Sequence, residues 1–522
     1  MSEDIRHECG VAALYWLDKP VGKDGPASAL VTDMNTAPLI PPMLLDLQNR
    51  GQLAAGLSTY SEGRAHVIDT FRDVGGVTEV FRMSHPQKYR AILDEYRGRA
   101  AIGHTRYATC GRDDIRYAQP FERHHGRLWK WFSFAFNGTL SNYAELRDRL
   151  LSKRQYHFSL DTDTEIIMHS LAYRLRGDKP PDLKRTMASL SRSFDGAYNI
   201  AFLDATGRMF VARDPLGLRP MSWAVQGHLF AAASESVALA NLGFTDIKSL
   251  NPGEMAIVED GRLRLEQFAK PKHLAKCFFE WVYFSNVASQ IDGCDVYNAR
   301  AATGVRLAQL EDQPLDEDSI VVPVPDTAKA AADAFAFYAG IQCVEGIIRN
   351  RYVGRTFIQS DDTRSRSVEA KYTPLASVMG RKKVFLLEDS IVRSTTLRAL
   401  ARHIRERGKA REIHVRVACP PIVAPCFYGI DMSTLGELFA PDFAPPRYNG
   451  RPSRQMQQQM AESLEVDSLR YLNVSDLAPC IGCDEDSLCR GCVTGKYPTK
   501  WGNKLMHRAK RNLEKGTCGR TY

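Results

Sequence analysis

The chain has 522 residues, of which 44% are hydrophobic and 25% charged, and its formal net charge is +8 at pH 7. This length favours at least two domains, and the composition is that of an ordinary globular protein. No apolar run approaches the roughly 18–20 residues of a membrane span, and no basic block or nucleic-acid motif accounts for the positive charge. We therefore expect neither a membrane nor a nucleic acid as a partner.

The cysteine content bears on the compartment. Twelve cysteines occur in a chain whose first residues, MSEDIRHE, are polar and carry no secretory apolar stretch. Without secretion, cysteines serve metal ligation or catalysis more often than disulfide bonds. We therefore expect a cytoplasmic protein.

The first motif surrounds Cys9, which precedes an apolar run, GVAALYW, that predicts a strand. Four further segments follow in order: RGQLAAG, GHTRYATCG, FNGTLSNYAEL and DTDTE. Taken singly, a cysteine is usually a small buried hydrophobe, and Asn-Gly is usually a tight turn. Taken together, the five segments resemble the signatures of the class II glutamine amidotransferases. The resemblance implies an N-terminal-nucleophile hydrolase with an αββα sandwich.

Hydrolysis of a glutamine amide needs a nucleophile, a base, an oxyanion hole and a clamp on the amino-acid end. The resemblance makes Cys9 the nucleophile, and its own α-amine, with an ordinary pKa near ~8, is suited to act as the base. The other implied roles are an oxyanion hole of Asn137 and Gly138, Arg106 for the α-carboxylate, Asp163 for the α-ammonium, and Thr109 and Arg50 for the pocket walls.

A free α-amine at Cys9 requires removal of residues 1–8, by self-cleavage at the Glu8–Cys9 bond. The resemblance thus implies a propeptide over 1–8 and a glutaminase domain over 9–270. Within it, the Gly- and Pro-rich stretch from Asp18 to Pro42 predicts a surface loop inserted after the first strand. The segments ARDPLGLRP, ASES and NPGE are interpreted as structural turns only.

A polar stretch near residue 270 marks the boundary of a second domain, over 271–522. Its apolar run IVVPVP predicts a strand, followed by Asp326, Thr327 and an alanine-rich helix. VFLL, over 384–387, predicts another buried strand, and LRALARHIRERG a helix. Strands separated by helices predict an α/β domain with a parallel sheet, whose ligand lies at the carboxyl ends of the strands.

Between that second strand and its helix lies the run EDSIVRSTT, over 388–396. A loop that leads into a helix N-terminus binds anions, because free N–H groups and the helix dipole point into it. Carboxylates there accept ribose hydroxyls or hold magnesium. The run resembles the phosphoribosyl-pyrophosphate (PRPP) loop of the type I phosphoribosyltransferases, in the form DDSIVRGTT of the glutamine-dependent amidophosphoribosyltransferases. The resemblance implies Mg²⁺ as a cofactor, held by Thr327, Glu388 and Asp389.

The same resemblance implies two groups of PRPP-binding residues. The segment RNRYVGRTFI is similar to the flexible loop that closes over PRPP, where cations suit the pyrophosphate charge. The implied residues are Arg349, Arg351, Arg355, Arg364 and Lys371, together with Glu388, Asp389, Ser390, Arg393, Ser394, Thr395 and Thr396 of the PRPP loop. Ser394 replaces a glycine of the family pattern, so it either fits and donates its hydroxyl or stores ~1–3 kcal/mol of strain.

The tail contains a double CxxC, CIGCDEDSLCRGC, over 480–492. Zinc is the generic interpretation of such pairs, although their separation is short for a zinc ribbon. CRGCVTGKYPT resembles the end of the iron–sulfur amidophosphoribosyltransferases, which implies a [4Fe–4S] cluster on Cys277, Cys426, Cys489 and Cys492. For Cys480 and Cys483 three interpretations stay open: a second metal site, exchange with the first pair, or plain thiols, of which we favour the last.

These resemblances together predict a pentosyltransferase that moves glutamine-derived ammonia to PRPP and forms 5-phosphoribosylamine, glutamate and pyrophosphate, the first step of de novo purine synthesis. They imply a homo-oligomer with purine nucleotides as feedback inhibitors. Two alternatives remain. One is a divergent paralogue with another acceptor, and the other is a non-catalytic sensor of PRPP or nucleotides.

Overall fold

The structure is a computed structural model that describes residues 9–107, 114–153, 156–350, 371–430, 432 and 434–516. The predicted propeptide, 1–8, and four predicted site residues, Thr109, Arg351, Arg355 and Arg364, lie outside these described residues. Within the described ranges, every helix is too short or too polar to cross a bilayer.

Twelve strands of the first half form two antiparallel six-stranded sheets, in the orders β10-β9-β1-β4-β2-β3 and β12-β11-β8-β7-β6-β5. The strands are β1 (Gly10–Val21), β2 (Ala54–Tyr60), β3 (Ile68–Val74), β4 (Ala100–Arg106), β5 (Phe121–Arg123), β6 (Phe132–Leu140), β7 (Gly196–Asp204), β8 (Met209–Arg213), β9 (Ser222–Ala233), β10 (Lys248–Ser249), β11 (Glu254–Glu259) and β12 (Arg262–Gln267).

Helices cover the outer face of each sheet. They are α1 (Pro26–Ala29), α2 (Ile40–Asp46), α3 (Val77–Val80), α4 (Pro86–Glu95), α5 (Tyr143–Leu151), α6 (Asp163–Arg174), α7 (Leu183–Ser191) and α8 (Val237–Ala240), with 3₁₀ turns at Ala37–Leu39, Ile115–Tyr117 and Leu128–Lys130. One apolar core lies between the sheets, a second under α2, α3 and α8, and a third under α5 to α7. These layers confirm the predicted αββα sandwich.

The stretch from Asp18 to Pro42 is more ordered than a surface loop. Strand β1 continues through Val21, α1 begins at Pro26, and α2 begins at Ile40. Ala37 and Ile40 are fully buried, and Ile40 packs into the core under the first sheet. The prediction of a surface loop therefore holds for the exposed residues between these elements, and it was wrong near Ala37 to Pro41, where apolar side chains are buried.

The second half is built on a parallel five-stranded sheet in the order β17-β16-β20-β21-β22. Its strands and the short accessory strands are β13 (Lys276–Cys277), β14 (Gln290–Ile291), β15 (Cys294–Asp295), β16 (Ser319–Pro323), β17 (Gln342–Cys343), β18 (Ile347–Arg349), β19 (Tyr372–Pro374), β20 (Lys383–Glu388), β21 (Glu412–Val417), β22 (Ser468–Tyr471) and β23 (Leu488–Cys489). The predicted strands over IVVPVP and VFLL are confirmed as β16 and β20.

The helices of this half are α9 (Val296–Gln309), α10 (Lys329–Ala339), α11 (Ala376–Met379), α12 (Thr395–Glu406), α13 (Arg454–Ser463), α14 (Leu477–Ile481), α15 (Gly491–Thr494) and α16 (Lys500–Glu514). A buried π-helical turn occupies Glu280–Phe284, and 3₁₀ turns occupy Leu435–Glu437, Ala440–Asp442, Val474–Asp476 and Glu485–Ser487. The two helices predicted after β16 and β20 are confirmed as α10 and α12. Helix α12 packs one apolar face, including Leu397, Leu400 and Ile404, onto the sheet.

Candidate functional sites

Cys9 lies directly before β1, the strand between β9 and β4 in the first sheet. Its thiol is half-buried. Strand β1 pairs with β4 so that Gly10 lies opposite Thr105, and one further step of this antiparallel register places Arg106 opposite Cys9. The Arg106 guanidinium also lies over the ring of Tyr117, at 5.2 Å. The predicted nucleophile, Cys9, and the arginine predicted to bind the glutamine α-carboxylate, Arg106, therefore lie side by side at one end of β1 and β4.

Asn137 reaches this strand from the second sheet. Its fully buried amide nitrogen donates to Ser234 Oγ at 3.3 Å, and the same hydroxyl accepts the backbone N–H of Val11 at 3.0 Å. An amide nitrogen carries two hydrogens, and this contact uses one. Ser234 thus holds the predicted oxyanion donor two residues from Cys9. The sequence alone indicates only a structural turn at Ser234, within ASES.

Gly138 and His104 fix the backbone of β6 at the same point. Gly138 has φ +141°, and a Cβ there would approach the carbonyl oxygen of Ala197 to 2.0 Å, so only glycine fits. His104 Nε2 contacts the carbonyl oxygen of Phe136 at 3.1 Å, and burial lowers the pKa of His104 to about 3. A neutral imidazole therefore donates to the residue before Asn137. Sequence reasoning missed this role, since within the segment GHTRYATCG it assigned functions only to Arg106 and Thr109.

Asp163 is the first residue of α6 and lies beside the end of β6. Its Oδ2 accepts the backbone N–H of Leu140 at 3.2 Å. Burial raises the pKa of Asp163 to about 6, and hydrogen bonds from backbone N–H groups oppose that shift. A carboxylate with this pKa gains from a cationic partner, as expected of a group that binds an α-ammonium.

Arg50 lies between the two halves of the chain. Its fully buried guanidinium donates to Glu235 at 2.6 Å and to Glu280 at 2.7 Å, and it stacks on Phe284. Glu280 and Phe284 belong to the π-helical turn of the second half. Arg50 therefore bonds one carboxylate from each half of the chain, and these contacts join the two halves. Its predicted contribution to the glutamine pocket stays a prediction.

The predicted PRPP loop follows β20, the middle strand of the parallel sheet. Thr327, after β16, donates its hydroxyl to Asp389 Oδ2, and Ser390 Oγ donates to Asp389 Oδ1 at 2.7 Å. Glu388 and Asp389 are both buried, with 5% and 1% of their surface exposed. The structure therefore brings the three predicted magnesium ligands together at the carboxyl ends of two neighbouring strands.

The two carboxylates of this loop suit a cationic ligand, and the helix N-terminus beside them suits an anion. Burial and then the nearby Asp389 carboxylate raise the pKa of Glu388 to about 8. Ser394 has φ −81° and ψ −21°, an ordinary right-handed conformation, so the strained alternative is excluded. Thr395 and Thr396 are the first two residues of α12, where unpaired backbone N–H groups point into the loop.

Three further predicted PRPP residues have defined positions. Arg349 ends β18 and forms an ion pair with Asp326, the neighbour of Thr327. Lys371 immediately precedes β19. Because β19 pairs with β18, the two ends of the predicted closing loop lie next to each other. Arg393 donates to Glu437 at 2.8 Å. Arg349 and Lys371 thus flank the base of the segment that lies outside the described residues.

The four cysteines of the predicted cluster line one cavity. Strands β13 and β23 pair in parallel with Cys277 opposite Cys489. The backbone N–H groups of residues 423 and 424 donate to the carbonyl oxygen of Cys492, which brings Cys426 to the same place. The cavity is also lined by Arg219, Tyr428 and Tyr497.

Four thiols around one cavity are a donor set that is compatible with a [4Fe–4S] cluster. Among the residues that the structure describes, no three His, Cys, Asp or Glu side chains are close enough to hold one metal ion. Thiolates that surround one cavity are the donor type that an iron–sulfur cluster takes. Burial raises the pKa of Cys489 to about 12, so this thiol stays protonated without a cationic group. Cys480 and Cys483 do not line the cavity.

Comparisons with known proteins agree with both halves. Residues 86–248 match the family described as glutamine amidotransferase domain. Amidophosphoribosyltransferase of Methanothermobacter thermautotrophicus is 37% identical over 499 residues, which is 95% of each chain. The enzyme of the same name from Bacillus subtilis is 35% identical over 465 residues, 88% of this chain and 90% of that one. The chain belongs to the amidophosphoribosyltransferase family.

A solved structure of an amidophosphoribosyltransferase supports the assignment of the fold. The Bacillus subtilis glutamine PRPP amidotransferase complexed with ADP and GMP has a TM-score of 0.78 and 33% identity, and the match covers 94% of this chain and 98% of that one. The α/β fold class, with its sandwich and parallel-sheet halves, is therefore confirmed across nearly the whole amidophosphoribosyltransferase chain.

Proposed function

We propose that this amidophosphoribosyltransferase couples two reactions, one in each half of the chain. In the first, Cys9 attacks the side-chain amide of glutamine and releases ammonia. In the second, that ammonia displaces pyrophosphate from C1 of PRPP and forms 5-phosphoribosylamine. The single observation that carries this proposal is that one chain holds both sets of groups in place. Ser234 bonds Asn137 to the Cys9 strand, and Thr327 bonds to Asp389.

The glutaminase groups act on charge that develops during the reaction. Once residues 1–8 are removed, the α-amine of Cys9 takes the thiol proton and later returns a proton to the leaving ammonia. Asn137 Nδ2 and the Gly138 N–H stabilise the oxyanion. Arg106 binds the α-carboxylate and Asp163 the α-ammonium of glutamine, and Thr109 and Arg50 complete the pocket. Ammonia crosses to PRPP inside the protein, because free ammonia is mostly protonated in neutral water.

The transferase groups hold PRPP for in-line displacement. Glu388, Asp389 and Thr327 would bind Mg²⁺, which supplies charge neutralisation on the pyrophosphate. Ser390 and Ser394 to Thr396 take the 5-phosphate at the α12 N-terminus. The basic residues on the leaving-group side would be Arg349, Arg351, Arg355, Arg364, Lys371 and Arg393.

Four cysteines would hold a [4Fe–4S] cluster: Cys277, Cys426, Cys489 and Cys492. Their thiolates come from three separate segments, so the cluster would staple the tail to the base of the transferase half. Purine nucleotides as feedback inhibitors and a homo-oligomeric assembly complete the proposal. Its support for nucleotide binding is the ADP and GMP complex of the Bacillus subtilis relative.

The test follows glutamate and pyrophosphate release from glutamine, PRPP and magnesium, with anaerobically purified enzyme whose N-terminus is confirmed as Cys9. We expect equal amounts of both products. Cys9→Ser should abolish glutamine-dependent release of both products and retain pyrophosphate release with added ammonia. Glutamate without pyrophosphate would instead indicate a paralogue with another acceptor, and neither activity in either form would indicate a sensor.

A further inference from the structure

Three consecutive residues, Ser234, Glu235 and Ser236, contact both halves of the chain, and we call them the interdomain bridge. They follow β9 directly. Ser234 accepts from Asn137 and from the Cys9 strand, as described above. Ser236 Oγ accepts the backbone N–H of Gln290 at 2.7 Å. The bridge therefore begins at the oxyanion donor and ends on the transferase half.

Glu235 is the centre of the bridge and is fully buried. Its Oε1 accepts from Asn49 Nδ2 and Arg50 Nε, both at 2.6 Å, within the glutaminase half. Its Oε2 accepts from the backbone N–H of Asn286 at 2.7 Å and from Ser289 Oγ at 2.8 Å, within the transferase half. One carboxylate thus receives two donors from each half.

The contacts continue into the transferase half through Arg300 of α9. Its buried guanidinium donates to the carbonyl oxygens of Trp281, Tyr283 and Ser285, which belong to the turn that precedes Asn286. Burial lowers the pKa of Arg300, and the carboxylates of Asp389 and Glu235 oppose that shift. The three hydrogen bonds attach the segment before Asn286 to α9 of the transferase half.

A buried charge is a costly way to hold two domains together. Taking a carboxylate out of water costs several kcal/mol, and apolar residues of similar volume often serve stability as well or better. What a carboxylate with four directed donors adds is a fixed register between the groups that it joins. Here those groups are the backbone beside the oxyanion site and the Asn286 to Ser289 segment of the transferase half.

We propose that Glu235 is a positioning residue that keeps the two reaction centres in register. Ammonia released beside Asn137 then reaches PRPP before it can escape into the solvent. This inference rests on the proposed roles of Cys9 and Asn137. Loss of the register would leave glutamine hydrolysis in operation while ammonia escapes. The characteristic sign is glutamate released in excess of pyrophosphate, rather than a lower rate of both.

The experiment uses Glu235→Gln, which keeps the shape and removes the charge, in the full-length processed enzyme. Its matched control is Glu311→Gln. Glu311 is another buried carboxylate bonded to an arginine, Arg416, at 2.7 Å, but it lies in the transferase half. Four quantities are measured: glutamate and pyrophosphate from glutamine, pyrophosphate from added ammonia, and the midpoint of thermal unfolding.

We expect Glu235→Gln to raise the ratio of glutamate to pyrophosphate by about 2- to 30-fold, the range usual for coupling residues, while ammonia-dependent turnover changes little. Ser289→Ala, which removes one donor and leaves the Arg50 pair, should shift the ratio in the same direction by less. Glu311→Gln should lower the unfolding midpoint with the ratio unchanged.

The proposal would be overturned if the ratio of glutamate to pyrophosphate were unchanged in both Glu235→Gln and Ser289→Ala while both reactions slowed alike. The bridge would then have a structural role only. Failure of the underlying mechanism has a separate sign, since a Cys9→Ser enzyme would then keep its glutamine-dependent turnover. If Glu235→Gln does not fold, Ser289→Ala decides the question by the same ratio.

Discussion

Thr327 donates a hydrogen bond to Asp389 across the carboxyl ends of two neighbouring parallel strands, β16 and β20. The two residues are 62 positions apart in the chain. A hydroxyl that fixes one buried carboxylate oxygen leaves the other oriented toward the loop, where Ser390 holds it. The pair thus preorganises the proposed magnesium site before any ligand arrives.

Thr327→Val should weaken binding of magnesium-PRPP. A hydrogen bond to a charged group contributes about 1.5–3 kcal/mol, which corresponds to roughly a 10- to 100-fold rise in the KM for PRPP. Ammonia-dependent kinetics measure this without involving the glutaminase. Thr327→Ser restores the hydroxyl and should recover most of the affinity. Equal KM values for the valine and serine variants would contradict the proposed role.

Asn137→Ala should lower the kcat of glutamine hydrolysis by about 10²- to 10³-fold with little change in KM, because it removes an oxyanion donor. Ammonia-dependent pyrophosphate release is the internal reference and should remain. The matched control is Asn142→Ala, since Asn142 is also buried and donates to the carbonyl oxygen of Ser193 at 2.8 Å. A comparable loss of kcat in that control would point to general disruption of β6 and α5.

The pH dependence of glutamine binding should report Asp163. Burial raises its pKa to about 6, so the carboxylate is ionised above that pH and protonated below it. The ionised form binds the α-ammonium, and we therefore expect kcat/KM for glutamine to fall as pH decreases through about 6. Because the folded pKa lies above the ordinary value, ionised Asp163 also destabilises the fold above pH 6 unless glutamine is bound.

Asp163→Asn provides the check on that profile. The variant should have a low kcat/KM at every pH, without the inflection near 6, because an amide does not titrate. The inflection is measured by glutamate release over a pH series in the presence of PRPP. An inflection that persists in the Asn variant would assign it to another group.

Ser394→Gly should leave the KM for PRPP nearly unchanged or raise it by less than about fivefold. The residue has φ −81°, so glycine relieves no strain, and a Ser-to-Gly change at a helix N-cap costs only a few tenths of a kcal/mol. Ammonia-dependent kinetics over a range of PRPP concentrations give the value. A clear fall in KM would mean that serine does hinder the phosphate.

Local pattern was enough to predict the strands and helices that carry the PRPP loop. Strand β20 and helix α12 follow from an apolar run and an amphipathic repeat, and the loop between them follows from its polar residues. Motif order likewise placed Cys9, Asn137 and Asp163 in one half. These inferences succeed because the residues that define each element are contiguous in the chain.

The bridge residues could not be predicted in this way. Glu235 acts through partners 51 and 54 residues further along the chain, and Ser234 through Asn137, 97 residues earlier. In the sequence they appear as ASES, an ordinary polar turn after a strand. The same holds for Arg50. Its motif identifies the arginine, but the motif does not predict that Arg50 contacts Glu235 and Glu280. Contacts between sheets and between halves leave no periodic pattern.

The cavity cysteines and the remaining CxxC pair should differ in iron retention. Cys426→Ser removes a thiol from the cavity wall, so we expect iron per chain to fall at least about tenfold and the iron–sulfur absorption to disappear. Cys480→Ser is the control, because Cys480 is a half-buried cysteine of the same tail that does not line the cavity. It should retain iron, absorption and activity. Equal iron loss in both variants would place the cluster on the double CxxC instead, and zinc in place of iron in the parent enzyme would reject the cluster altogether.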